Sequence, residues 1–284
     1  MENLHMEKIL LALDAQNIST PAIEFACYLA RLTNSRLTGI FLEDVLSDER
    51  PAFQGFHTVA EMQSFAAVAP ELTASREAGT EQNIKLFKQS CECRGITAHV
   101  HRDRGIPVQE IIEESRFADL LVVDAETSFA RRKESIPAKF VKDVLADAEC
   151  PVIIAPYSFH PIDEVVFAYN GSASSVFAIK QFAYLFPEWR QKKATIINVK
   201  EKDEPAIESQ YRMKEWLQQH FANTELKVLT GDATDQLFGY LIDKKDAMVV
   251  IGAYGRSMLS RFFKPSHAHL IVKTVNLPIF ITHH

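Results

Sequence analysis

Two stretches decide the fold: ADLLVVDAETS, Ala118–Ser128, and KDAMVVIGAYG, Lys245–Gly255. Each opens near an aspartate, runs through apolar residues and ends in a turn. With Asp119 placed on Asp246 the offset is 127 residues, and the register holds without a gap to ECPVII and NLPIFI, where Pro151 falls on Pro278. Apolar runs of this length, without polar alternation, are strands buried on both faces. Upstream, KILLALD (Lys8–Asp14) lies on EVVFAYN (Glu164–Asn170), which sets Asp14 on Asn170 at an offset of 156. The two offsets differ by 29, so the first half carries about that many extra residues, mostly between Leu46 and Thr80. A repeat of this period is a duplicated domain.

Working outward, strand-like runs recur at Ile9–Leu13, Leu37–Leu42, Thr97–His101, Leu120–Val123 and Val152–Ala155. They return at Val165–Tyr169, Thr195–Val199, Leu226–Leu229, Met248–Ile251 and Ile279–Thr282. Helical segments separate them, which is the α/β signature of a parallel sheet covered on both faces. The junction APYSFHPID, Ala155–Asp163, carries two prolines, so the boundary is set near Phe159: domain 1 spans 1–158 and domain 2 spans 159–284. Thr20 is the expected N-cap of the first helix, with Pro21 in its first turn; Ser174 or Ser175 is expected to cap its counterpart. Trp189 and Trp216 read as helix-end packing.

The chain has 284 residues, 47% of them hydrophobic and 24% charged, with a net charge of −6. These values describe a folded chain without the basic field that draws nucleic acid or anionic lipid. No apolar run approaches the roughly 20 residues that span a bilayer. The N-terminus reads as a strand rather than a signal peptide, which points to the cytoplasm. The four cysteines are expected as thiols, Cys27 packed in the core.

In such a sheet a ligand sits beyond the C-terminal strand ends, where the winding reverses. The candidates are therefore Asp14 and Asn170-Gly171-Ser172 after the first strands, and Ala125 to Ser128 and Gly252 to Gly255 after the fourth. Val199 closes the second strand of domain 2. Gly252 and Gly255 permit close backbone approach, and Arg256 and Ser257 add a charge and a hydroxyl.

From these residues the chain resembles the universal stress protein family. G-A-Y-G-R, nine residues and then Pro265-Ser266 look like that family's nucleotide loop: glycine, two residues, glycine, nine residues, glycine, then serine or threonine. NLPIFIT resembles its last strand, and the likeness covers nearly the whole chain, taken twice. It implies two doubly wound domains, each a five-stranded parallel sheet of order 3-2-1-4-5 with helices on both faces. It also implies an internal pseudo-dimer through antiparallel pairing of Pro151–Ala155 with Pro278–Thr282. An aspartate at the position of Asp14 would contact adenosine, and the glycines and Ser266 would hold the phosphates of ATP or AMP.

Departures from that pattern separate the halves. Domain 2 has Asn170 for the aspartate and Pro265 for the third glycine. One missing donor in a phosphate cradle costs on the order of 1–3 kcal/mol. Domain 1 keeps Asp14, but Ala125 and Ser128 stand at the glycine positions and Ala138-Lys139 at the final pair. Asp124 and Glu126 there would repel phosphate. Nucleotide is thus expected in domain 2 if anywhere.

Cys91, Cys93, His99 and His101 form a cysteine and histidine cluster whose spacing matches no standard zinc site, so surface placement is expected. The insertion near 46–80, with Phe53 and Phe56, reads either as a lid or partner surface or as a locally packed excursion. No nucleophile–base pair or Walker sequence is present, so an ATPase would be weak at most. The reading is a stress-response binding protein. The alternative is a nucleotide-independent module for a protein partner or small ligand, and a homodimer stays open.

Overall fold

KILLALD becomes a central strand because it is apolar throughout and its neighbours are too. In the computed structural model, which describes residues 6–44, 59–130, 132–200, 209–253 and 276–283, this is β1 (Lys8–Asp14). The first half continues through helix α1 (Thr20–Thr33), β2 (Arg36–Asp44), α2 (Val59–Glu92), β3 (Ala98–Gly105), α3 (Pro107–Ser115), β4 (Leu120–Asp124), α4 (Lys139–Asp147) and β5 (Val152–Ala155). The second half repeats the order with β6 (Glu164–Ala168), α5 (Ala173–Leu185), β7 (Lys193–Lys200), α6 (Ser209–Leu217), β8 (Asn223–Thr230), α7 (Ala233–Leu241), β9 (Ala247–Ala253) and β10 (Ile279–His283). All ten expected strands are present, each within a few residues of its expected bounds.

The strands form one sheet in the order β3-β2-β1-β4-β5-β10-β9-β6-β7-β8. Each half is thus a parallel 3-2-1-4-5 sheet. The halves meet where β5 and β10 run antiparallel, with Ile279 opposite Ile154, Phe280 opposite Ile153 and Ile281 opposite Val152. Every residue of β5 is buried, so pairing with β10 removes a hydrophobic open edge. Asn276 fastens the joint: its Oδ1 accepts from the Tyr157 and Ser158 amides at 2.7 and 3.2 Å. Phe159 packs back on Tyr28 and Phe25, with ring centroids 4.5 and 5.9 Å apart.

Two hydrophobic layers flank the sheet. One lies under α1, α2, α5 and α6 and runs across both halves, with Phe25, Phe87, Phe182, Leu217 and Phe280 among its members. The other lies under α3, α4 and α7 and includes Ile111, Val141, Val144 and Leu241. Trp189 is buried on a short 3₁₀ turn after α5, stacked on Phe186 at 4.8 Å, and Trp216 lies against His220.

Both expected caps shift. Ser19, not Thr20, caps α1, its hydroxyl accepting from the Ala22 amide. Ser172, not Ser174 or Ser175, caps α5, accepting from the Ser175 amide. In each case the cap is the last residue with extended backbone, and the hydroxyl-bearing residues behind it are already helical. The extra length of the first half is largely helix: α2 has 34 residues against 9 in α6. Phe53 and Phe56 lie outside the described residues. No helix among the described residues is long and apolar enough to cross a membrane.

Candidate functional site

The winding reverses between β1 and β4 in the first half and between β6 and β9 in the second, so each crevice opens there. Asp14 and Asn170 end β1 and follow β6, and both build the same turn. Asp14 Oδ1 accepts from the Gln16 amide at 2.9 Å; Asn170 Oδ1 accepts from the Ser172 amide at 3.1 Å and from its hydroxyl at 2.6 Å. The local task needs one oxygen, which asparagine supplies as well as aspartate. Burial pushes the Asp14 carboxyl up, against the pull of the Gln16 and Asn17 amides.

The first crevice is filled by the chain itself. Ser128 donates to Glu134 Oε2 at 2.6 Å, and the Lys139 amide at the start of α4 points to the same oxygen at 3.4 Å. Residues 138 and 139 are where the resemblance puts a phosphate, and Ala138 gives α4 no side-chain cap. A carboxylate there suits the positive end of the helix. The Ser19 hydroxyl donates to Asp124, which also accepts from the Glu126 amide at 2.7 Å.

Helix α2 closes over the loop after β1. Gln16 Nε2 donates to Thr80 Oγ1 at 2.8 Å and to the Arg76 carbonyl at 3.2 Å, and Asn83 donates to the Ala15 carbonyl at 2.9 Å. Thr80 is 1% exposed. Arg102 on β3 adds ion pairs to Glu43, Glu77 and Glu81. The end of the insertion, at Arg76 and Thr80, is therefore hydrogen-bonded to the loop after β1.

The second crevice is built differently. Asn170 and Gly171 are exposed at its mouth. At Gly252 an added Cβ would come within 2.2 Å of the Ser174 carbonyl oxygen and 2.6 Å of the Ser175 nitrogen. Glycine there has a packing cause: the first turn of α5 lies against the end of β9. The aligned Ala125 keeps its Cβ. Val199 is half-buried near the end of β7, opposite Leu229 of β8. The strand order β9-β6-β7 thus sets Gly252, Asn170 and Val199 at neighbouring strand ends. Gly255, Arg256, Ser257, Pro265 and Ser266 lie outside the described residues.

Sequence reasoning missed a buried polar group beneath these ends. Asn198 donates to the Tyr169 carbonyl at 2.9 Å while its Oδ1 has no partner, and Tyr169 donates to Ser209 at 2.7 Å. The Gln210 amide, next along α6, is buried with neither polar atom paired. An asparagine inside the apolar strand IINVK was the available signal.

The cysteine and histidine cluster does not converge. Cys91 turns into the core beside Cys27, and Cys93 is exposed. His99 and His101 share the exposed side of β3, and His101 faces Glu114 at 3.3 Å. Among the described residues no group of three or more such side chains could hold a metal ion.

No protein-family model matches the chain. It is 19% identical to a universal stress protein of Synechocystis, over 96% of this chain and 99% of that protein. It is 25% identical to a universal stress protein of Methanocaldococcus jannaschii over 54% of this chain and 83% of that one. Among solved structures, a universal stress protein from Archaeoglobus fulgidus superposes with a TM-score of 0.71 at 18% identity, covering 99% of this chain and 98% of the other.

Proposed function

Starting from a chain of the universal stress protein type with two tandem units, we propose that it is a cytoplasmic stress-response protein whose second half binds an adenine nucleotide, ATP or AMP. The first half serves as its structural partner and takes none. One observation carries this reading. In the first half the anion position at α4 is met by the chain's own Glu134 carboxylate. At the offset of 127 the second half has Arg261 in place of Glu134, with Ile251 and Ala253 in place of Asp124 and Glu126. Three negative side chains are replaced by two neutral ones and a cation, which favours an external anion. Asn170 would face the adenosine part and Val199 its base. Gly252, Gly255, Arg256, Ser257 and Ser266 would line the phosphates, and Asp14 has no ligand to meet.

Calorimetry with ATP and AMP tests this. Binding is expected at millimolar nucleotide or below. Arg261→Glu or Ser266→Ala should weaken it at least about tenfold, the loss of one charge-assisted hydrogen bond. Ser128→Ala in the first half should leave it unchanged. Absence of heat and of thermal shift at millimolar nucleotide overturns the reading and leaves the fold serving interaction alone.

A further inference from the structure

Outside both crevices two thiols meet in the core. Cys27 of α1 and Cys91 of α2 are 1% and 0% exposed, and their sulfurs lie 3.6 Å apart. Their neighbours in space are charged. Arg94 donates to the Ser90 carbonyl at 2.9 Å and pairs with Glu24 of α1, while Arg31 of α1 donates to the Arg94 carbonyl. This polar lattice ties the end of α2 to α1 over the thiol pair. The two cysteines are 64 residues apart in sequence.

We propose that Cys27 and Cys91 form a reversible disulfide when the protein meets a hydroperoxide, stapling α2 to α1. A disulfide needs its sulfurs at about 2.05 Å, so closure asks the two sulfurs to approach by roughly 1.5 Å in all.

The chemistry runs in two steps. The Cys27 sulfur, as thiolate, attacks the peroxide: the O–O bond breaks, an S–O bond forms, and the departing alkoxide, or hydroxide from hydrogen peroxide, takes up the proton that Cys27 gave up and leaves as an alcohol or water. The Cys91 sulfur then attacks the resulting sulfenic acid; the S–O bond breaks, the S–S bond forms, and the hydroxyl leaves with the Cys91 proton as water. Two thiols are oxidised and one peroxide is reduced. The hydrogen bond between the two sulfurs holds the Cys27 thiol below its usual range against burial, with Arg94 and Arg31 helping, and pushes Cys91 up. These directions favour Cys27 as the thiolate; with the roles exchanged the same bonds form and break. Both are covered, so reaction waits on local opening of the Glu24–Arg94–Arg31 rim.

The staple bears on the first half specifically. Further along α2, Arg76, Thr80 and Asn83 are fastened to the loop after β1. Locking α2 to α1 fixes that cover in place, and a closed loop of this length restricts the unfolded chain strongly.

The test uses the full chain, reduced, then treated with hydrogen peroxide or tert-butyl hydroperoxide. The expected result is a peptide joining Cys27 to Cys91 that has lost two hydrogens, a melting temperature raised by several degrees, and reversal of both by dithiothreitol. Cys93→Ser should leave all three intact; Cys27→Ser and Cys91→Ser should abolish the linked peptide. Where a serine variant fails to fold, the peptide map of the unaltered protein decides. Recovery of Cys27 and Cys91 as free thiols while Cys93 is oxidised, or linkage between chains through Cys93, overturns the proposal.

Discussion

The two crevices begin from one backbone and end in opposite states. In the first half a carboxylate from the loop, Glu134, sits on Ser128 and faces the start of α4, and the long helix α2 is hydrogen-bonded across the turn that follows β1. In the second half the corresponding turn at Asn170 and Gly171 is exposed, and close packing of α5 on β9 is made possible by Gly252. The difference teaches that a duplicated fold diverges through what fills its strand ends. Main-chain geometry is kept: Asp14 and Asn170 still accept from the amide two residues on. Side chains then decide whether the cleft serves itself or a ligand.

The contrast can be broken most forcefully at Gly252. Gly252→Ala places a Cβ 2.2 Å from a backbone oxygen that no rotamer can move aside, and about 3 kcal/mol of stability should be lost, at the upper end for an overpacked site. Ala125→Gly at the aligned place should cost about 1 kcal/mol. Urea unfolding of both variants compares them; equal losses would erase the proposed difference between the strand ends.

A second contrast lies at the other ends of β1 and β6, where Lys8 aligns with Glu164. Glu164 is 6% exposed and bonded to Thr195 at 2.5 Å, Tyr240 at 3.2 Å and Lys244, with Lys193 at 3.5 Å. Lys8 meets Glu114 at 3.7 Å near solvent. Glu164→Gln should cost about 2 kcal/mol by leaving Lys244 poorly matched, and Lys8→Gln under about 0.5 kcal/mol. Burial raises the Glu164 carboxyl, but Lys244, Thr195 and Lys193 outweigh it and hold it below its ordinary value. Its contribution is therefore complete above about pH 4.3, the ordinary glutamate value, and is lost as pH falls through the folded value. Stability measured from pH 6 down to 3 should fall less steeply in Glu164→Gln than in the unaltered protein; parallel curves would remove Glu164 from the account.

The smallest effect is expected at Glu134. Glu134→Gln keeps a partner for Ser128 but removes the charge at the start of α4, and should cost under about 1 kcal/mol. Because Asp124 and Glu126 stay, it should not create ATP binding in the first half. Calorimetric binding at two sites in this variant would show that Glu134 alone closes that crevice.

Most of the architecture was legible because buried parallel strands leave long apolar runs, and the unbroken offset between Asp119–Pro151 and Asp246–Pro278 tied the halves together. The antiparallel joint of β5 with β10 followed from the resemblance. Helix starts were harder to read: NISTP offers two hydroxyls and NGSASS three, and only backbone geometry selects Ser19 and Ser172. The packing of Gly252 against Ser174 is a long-range fact that no local pattern encodes. Glu134 escaped notice because its role depends on a loop folding back on the next helix. The added length of the first half was countable, whereas its attachment through Gln16, Asn83 and Arg102 was not.

The antiparallel seam has a consequence for self-association. With β5 and β10 each flanked on both sides, growth of the sheet into a neighbouring molecule is left to the outermost described strands, β3 and β8. Those margins carry His99, His101, Arg102 and Arg104 on one side and Glu225 and Lys227 on the other. Pairing either rim with another molecule would draw these charged side chains out of water, so the outer borders discourage fibre-like stacking while the apolar middle stays closed.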